Sequence, residues 1–345
     1  MSAPKSRLAA VFVIVVAVLV GAAAVAPYAL GTGGDAGDVA SPENQQFQPD
    51  TVLPDEQPED GEISMASSER GKTVLVDVGH SNDVSETDLE PLLSTLVENG
   101  HEVRFYRGQR QDLNESLRSA DAFVVANPRE RFSNDELAGV EAFTDAGGRL
   151  LVMRGPPSVQ VSGGLFFGLG GLEPTASRTT DLASTYGIAY GSGYLYNMED
   201  NDNNYKSIYA EPASSGGLAD GVERVVVRDA VPIRTDGGTQ VLVGTEGTTL
   251  STTRDADQYA VLARSQGGNV TAVGDTSFLS RENAYDADNE VLIGNIADFL
   301  VTGDKVEGAP KPPGADAPNG DSGPGGPAPA PGPAEPPREP SPTPS

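Results

Sequence analysis

Asp77 and His80 stand three residues apart at the end of an apolar run, Thr73–Val78, and Asn82 follows them. A carboxylate that orients an imidazole is the acid–base half of a hydrolytic centre. Ser277, two residues after Asp275, adds a hydroxyl that such a centre can use as nucleophile. Other residues point to binding instead. Asn127, Arg129 and Arg154 carry amide and guanidinium groups that suit an anionic or polar ligand. The first reading is therefore a ligand-binding rim of Asp77, His80, Asn82, Asn127, Arg129, Arg154, Asp275 and Ser277, with no residue assigned a catalytic role. The second is a hydrolase-type enzyme working through His80, Asp77 or Ser277. The plainer alternative gives His80 and Asp275 to loop backbones and helix ends, where they only stabilise turns.

Several chemistries are excluded or weakened by residue type. The chain has no Cys, which removes disulfides, thiolate metal sites and Cys nucleophiles. Asp200, Asp202, Asn204 and Glu211 are spaced like part of a calcium loop, but Tyr205 stands where that loop needs Gly. An acidic surface turn accounts for them. Gly163–Gly171 lacks the Lys-Ser/Thr of a phosphate loop and is expected to be a helical turn or a lid. No cofactor and no metal site is expected.

The rim residues share one positional feature: each falls at the carboxyl end of a predicted strand or in the loop after it. Thr73–Val78, His101–Tyr106, Ala122–Ala126 and Arg149–Met153 are short apolar runs, and Asn269–Gly274 is a fifth. Amphipathic helices separate the first four. One begins at a capping pattern, Thr87-x-x-Glu90, and carries Leu89, Leu92, Leu93, Leu96 and Val97 as a stripe. A short helix covers Asp112–Ser119. Another, Asn134–Asp145, follows Ser133-x-x-Glu136. The last, Asn289–Leu300, is capped by Asp288 or Asn289. The alternation predicts an α/β fold with a mostly parallel sheet, whose loops gather at the carboxyl ends of the strands. Between Gly187 and Ala263 short strands alternate with turns. Gly187–Tyr196, Val222–Val227, Gln240–Gly244 and Tyr259–Arg264 are expected to extend the sheet with antiparallel strands in an excursion over 187–264.

The ends have other compositions. After a cytoplasmic amino terminus, 1–7, Leu8–Leu30 runs 23 residues without a charge. As a helix it would reach ~35 Å, enough for a bilayer core of ~30 Å. Lys5 and Arg7 precede it, so the positive-inside rule places everything after it outside the cytoplasm. Ala24-Val25-Ala26 resembles a signal cleavage site, but Pro27 follows it and the run is long for a signal core, so an uncleaved anchor is expected. Residues 31–70 form an acidic linker and 303–345 a Pro-rich tail, both expected to be disordered. The net charge is -27, and only five of the 23 basic residues are Lys. Acids spread over a whole surface keep a protein soluble where salt screens charge within ~3 Å at about 1 M, a halophilic signature. No basic stripe exists for nucleic acid.

Three stretches, VLVDVGH near Val74, NPRERFSNDELAGVEAFTDAGGRLLVM from Asn127, and GDTSFLSRENAYDADNEVLIGNIADFL from Gly274, resemble the family of domain of unknown function 4350. The resemblance implies a flavodoxin-like fold over 71–302, similar to class I glutamine amidotransferase domains and with no established activity. The Cys nucleophile of those amidotransferases has no counterpart here. The expectation is a haloarchaeal-type, single-pass cell-membrane protein with its α/β domain outside the cytoplasm. That domain would serve as a non-enzymatic binding or scaffolding module with protein partners in an envelope assembly. The full chain is accordingly expected in the membrane fraction of lysed cells, and a chain lacking residues 8–30 outside it; a full chain recovered in the cytosol would refute the anchor.

Overall fold

A computed structural model describes residues 61–108, 111–155, 158–162, 171–175 and 177–311. The expected anchor, the linker up to residue 60, Gly163–Gly170 and the tail from residue 312 lie outside the described residues. Among the described residues no helix is long and apolar enough to cross a membrane.

Strand β1 (Thr73–Asp77) and strand β3 (Ala122–Ala126) are buried at every position. Sequences apolar at each residue, not at alternate ones, need helices on both faces. They receive them. Alternate residues Val74, Val76 and Val124 pack with Leu92 and Leu96 of α1 (Glu90–Glu98) and Ile296 of α5 (Asn289–Val301). Leu75, Phe123 and Val125 face the other way, toward Leu117 of α2 (Leu113–Arg118), Val140 and Phe143 of α3 (Asn134–Asp145) and Leu182 of α4 (Thr179–Ser184). Each Leu or Phe buried in this way stabilises the fold by roughly 1.5–3 kcal/mol before ordering costs.

The sheet order is β2 (Glu102–Tyr106), β1, β3, β4 (Arg149–Met153), β15 (Val270–Val273), all parallel. Antiparallel strands continue it: β14 (Ala260–Arg264), β12 (Thr239–Gly244), β9 (Ser207–Pro212) and β10 (Val225–Arg228). β11 (Ile233–Thr235) joins β14, and β7 (Ile188–Tyr190) joins β11. Two small ribbons stand apart, β8 (Leu195–Tyr196) with β13 (Thr249–Leu250), and β5 (Ser158–Ser162) with β6 (Gly171–Thr175). The mixed α/β sheet expected from the sequence is present. Chain direction splits beside β1: α1 crosses on one face, α2 and α3 on the other. β1 and β3 therefore mark the point where the connections change face, the place where such sheets commonly take ligands.

Four local expectations are corrected. Thr87 and Glu90 form no capping box; Leu89 occupies the cap position without a side-chain bond, and Pro91 lies in the first turn. Val97 is 56% exposed and does not belong to the buried stripe. Gly187–Tyr196 is two strands, β7 and β8, because Gly191 and Gly193 interrupt it; a Cβ at Gly191 would meet Pro232 at 2.7 Å. Asp288 and Asn289 do not cap α5 with their side chains.

What they do instead closes the sheet. β10 has β9 on one side and, on the other, only an isolated bridge from Val225 to Ala287. Asn289, fully buried, accepts from the Val226 amide at 3.0 Å and donates to the Val226 carbonyl at 3.2 Å, standing in for a neighbouring strand. Asp288 accepts from the Glu223 and Arg224 amides, and Asp275 from the Arg228 amide. An edge that would template aggregation is thereby covered by side chains, together with the Val225–Ala287 bridge and the Asp288 amide on the Arg224 carbonyl. Asn289→Ala is expected to cost about 1–3 kcal/mol for each Val226 group left unpaired, read as a lowered midpoint in chemical denaturation; an unchanged midpoint would refute the clamp.

Candidate functional site

The parallel register places Asp77 beside Tyr106, both at the carboxyl ends of their strands. The loop after β1 then folds over Asp77. Its Oδ1 accepts from the Gly79 amide at 3.1 Å and from His80 Nδ1 at 2.9 Å, and its Oδ2 accepts from Asn82 Nδ2 at 3.2 Å. The Asn82 amide also donates to the Ala126 carbonyl at 2.9 Å, which ties this loop to β3. The His80 carbonyl receives the Arg129 and Glu130 amides, and Asn127 O receives the Asp83 amide. The Arg129 guanidinium pairs with Asp83. Five predicted rim residues, Asp77, His80, Asn82, Asn127 and Arg129, are thus brought together where β1 and β3 end. Ser81 and Asn127 carry φ of 52° and 45° there, in the left-handed region that costs a non-Gly residue energy.

His80 is 5% exposed. Its ring stacks on Phe132 at 3.8 Å between centroids and tilts against Tyr106 at 5.8 Å. Its Nε2 faces Glu136 Oε1 at 3.6 Å, so the imidazole sits between two carboxylates. Burial works against a charge on His80. The hydrogen bond and charge of Asp77, with Glu136 behind them, outweigh it and raise the pKa. For Glu136, burial opposes ionisation, but the Ser133 hydrogen bonds and the His80 charge hold the carboxyl below the usual range. Burial, reinforced by Glu136, pushes the Tyr106 phenol up to about 12; its hydroxyl donates to Glu136 at 3.2 Å. Glu136 also completes the predicted capping box with Ser133, so one side chain starts α3 and faces the imidazole.

The remaining predicted residues are engaged elsewhere on the same sheet end. Arg154, after β4, reaches Thr180 Oγ1 at 3.3 Å and lies over the Tyr190 ring. Asp275 is fully buried and accepts four bonds, from the amides of Thr276, Ser277 and Arg228 and from the Ser277 hydroxyl at 2.9 Å. Burial raises its pKa against those bonds. Ser277 and Asp275 join the end of β15 to β10; they hold a loop. Asp200 and Asp202 pair with Arg224 and Arg228, as an acidic turn would. No group of three metal-ligating side chains occurs among the described residues.

Glu136, Phe132 and Tyr106 were not singled out from the sequence. Glu136 was visible only as a capping residue. Tyr106 was recoverable, because strands that neighbour β1 in parallel must end beside it. Three clefts stand out on the described surface, and none is lined by a rim residue. One of ≈ 960 Å³ is bordered by Glu199, Asp200, Glu211, Glu246 and Asp257.

A family model described as domain of unknown function (DUF4350) matches residues 92–297, more than half of the chain. No curated protein matches. Among solved structures, the "mmIFT52 N-terminal domain" superposes with a TM-score of 0.52 at 17% identity, covering 68% of this chain and 99% of that one. A ThuA-like protein from Bacteroides uniformis gives 0.41 at 9% identity, over 71% of this chain and 95% of that one. The first likeness shows a shared fold and nothing about activity.

The chain's two histidines make opposite demands on pH. His80, with a raised pKa, contributes stability that is fully present below the ordinary imidazole pKa of about 6.5 and is lost as pH rises through its folded value. His101 is 5% exposed, and neither ring nitrogen has a partner among the described residues. Burial, with Arg70 adding to it, lowers its pKa. Its stability is present above about 6.5 and lost as pH falls. The stability gap between wild type and His80→Gln should therefore shrink from pH 6 to 8, and that for His101→Gln should shrink from pH 7 to 5. Parallel pH profiles in both variants would refute the assignment.

Proposed function

The chain belongs to the family of the domain of unknown function DUF4350, and we propose that it acts as a membrane-anchored, extracytoplasmic binding or scaffolding module without turnover. The support comes from one arrangement. The residue best suited to general-base work, His80, is buried, stacked on Phe132 and held between Asp77 and Glu136. Its Nδ1 is bonded to Asp77, its Nε2 faces the Glu136 carboxylate at 3.6 Å, and 5% of the residue is exposed, a setting that disfavours proton exchange with a substrate. Ser277 spends its hydroxyl on Asp275. Groups that a hydrolase would expose are here used to stitch loops, which leaves a rigid sheet end suited to presenting a surface.

We read the scaffold as flavodoxin-like, because the parallel strands run in the order β2-β1-β3-β4-β15. In that reading it is an amidotransferase-like domain whose Cys nucleophile is missing. The anchor is Leu8–Leu30, and protein partners in the cell envelope are what the rigid domain would hold. The surplus of acids, 50 against 23 bases, fits a haloarchaeal-type surface.

A hydrolase reading draws on one observation, the 2.9 Å Asp77–His80 bond, which is the acid–imidazole half of a triad. The two readings separate in a single assay. Full-length protein in detergent is expected to show no turnover on a panel of ester, amide and glycoside substrates. Turnover in the wild type that disappears in His80→Ala would replace the binding-module reading with the enzyme.

A further inference from the structure

The two outer strands of the main sheet are finished differently. The outer edge of β10 is answered by Asn289, Asp288, Asp275 and the Val225–Ala287 bridge. β2, at the opposite end, pairs with β1 alone. Its Glu102 amide donates to Lys72 O, and its Tyr106 carbonyl receives the Val78 amide. Residues 102, 104 and 106 therefore turn their backbone groups toward β1, and in a ladder the residues between them turn theirs the other way. The N–H and C=O groups of Val103 and Phe105 thus point out of the sheet, and they have no bond among the described residues. Sheet proteins commonly blunt such an edge with Pro or a bulge. β2 contains no Pro, and its register with β1 is unbroken from Thr73↔Glu102 to Asp77↔Tyr106.

The side chains along this edge complement themselves. Glu102 and Arg104 stand two residues apart on one face, both exposed, and are joined by two bonds of 2.8 Å. Val103 and Phe105 stand on the other face, half-buried against the cluster that holds Leu93 and Leu96 of α1. A second copy laid antiparallel, with the two-fold axis at Val103, sets Val103 against its own counterpart in a pair that exchanges two N–H···O bonds. The same axis puts Glu102 of each copy opposite Arg104 of the other, and opposite charges directly across a ladder attract. The neighbouring registers that keep the outward groups facing place the axis at Glu102 or at Arg104, and each sets like charges against one another. The charges therefore select one register. The axis of such a pair is normal to the sheet and leaves the same face of both copies on the same side. On that face Ile63 and Met65 pack on the core, and Asp298 of α5 accepts the Ala66 and Ser67 amides at 2.8 and 2.9 Å. Both chains thus come onto their domains from one side, as two anchors in one bilayer require.

We propose that β2 is the pairing edge of a homodimer, in which two copies of this chain join antiparallel at Val103, with Glu102 and Arg104 crossed between them, to make one continuous sheet. Main-chain bonds hold the pair, and the crossed charges fix its register and its partner. The dimer goes beyond the binding-module reading and does not depend on it, because an enzyme on this sheet would have the same edge.

The test is sedimentation velocity of the full chain in density-matched detergent, over a range of protein concentrations. The wild type is expected to sediment as a dimer that dissociates on dilution. Glu102→Arg and Arg104→Glu are each expected to weaken association about tenfold or more, because like charges then face each other across the axis. An equimolar mixture of the two variants is expected to recover the dimer, since each chain then offers the charge that the other lacks. A role for the Glu102–Arg104 pair within one chain would give no such recovery. The chain has no Cys, so Val103→Cys supplies a single thiol at the axis. Facing Cα atoms of a hydrogen-bonded antiparallel pair lie about 5.5 Å apart, within reach of a disulfide. That variant is expected to cross-link on mild oxidation while Thr253→Cys, at an exposed position on another loop, does not; it decides the matter should the charge variants not fold. The proposal is overturned by a wild type that stays monomeric, by a dimer that neither charge reversal weakens, by a mixture that does not recover, or by equal cross-linking in the two Cys variants. Turnover on the hydrolase panel would defeat the binding-module reading and leave the dimer standing, whereas a monomer would leave that reading in place, so the two failures are distinguishable.

Discussion

The carboxylate of Asp77 is the joint on which this end of the sheet depends. It is 1% exposed and accepts three hydrogen bonds from a single loop. A buried carboxylate is tolerable only when its lone pairs are answered, and each answer here fixes a piece of backbone. The Gly79 amide sets the turn, His80 Nδ1 sets the ring, and Asn82 carries the connection across to Ala126 of β3. With His80 fixed, its carbonyl can receive the amides of Arg129 and Glu130, so the second loop is ordered by the first. The switch point between β1 and β3, where such sheets commonly take ligands, is in this way occupied by the chain's own groups.

The same economy of polar groups recurs at the other edge of the sheet. Asn289 replaces a strand beside β10, Asp288 answers two amides at its start, and Asp275 answers one at its end. Gly274 makes this possible at close quarters. A Cβ there would stand 2.1 Å from Val231 O, and its absence lets the Gly274 carbonyl receive the Val231 amide. Side chains that look catalytic in the sequence are therefore mostly spent on backbone. Arg154 is the exception at the rim, since among the described residues it takes a hydroxyl and an aromatic face.

Much of the architecture was legible because it follows from one-dimensional patterns. β1 and β3 are apolar at every position, so they had to be central. Ser133 and Glu136 announced α3, and the helix begins where they require. Strand β15 runs parallel to β4, as the apolar run before Asp275 suggested. The failures have separate causes. Thr87 and Glu90 match the capping pattern, yet Pro91 and the packing of Leu89 set the start of α1. Asp288 and Asn289 have cap chemistry, yet their side chains go to the amides along the outer edge of β10. Ser207–Pro212, a sheet member between β10 and β12, carries too mixed a pattern to be read alone. For Asp288 and Asn289 a neighbour distant in sequence competed for the same polar group; at α1 adjacent residues decided the start.

By itself the sequence determined the five parallel strands and the helices that separate the first four, that those strands would end on a common side, and that cysteine chemistry is absent. Local hydrophobic period and residue type suffice for that, because burial on one face or two is a property of a short window. Only the tertiary structure decided what each polar residue does. His80 could have been an open base; Phe132, Tyr106 and Glu136 enclose it. Arg129 and Arg154 are alike in type and in position after a strand, yet one meets Asp83 and the other meets no acid among the described residues. A hydrogen bond or ion pair needs two partners within a few ångströms, and for side chains far apart along the chain only the fold sets that distance.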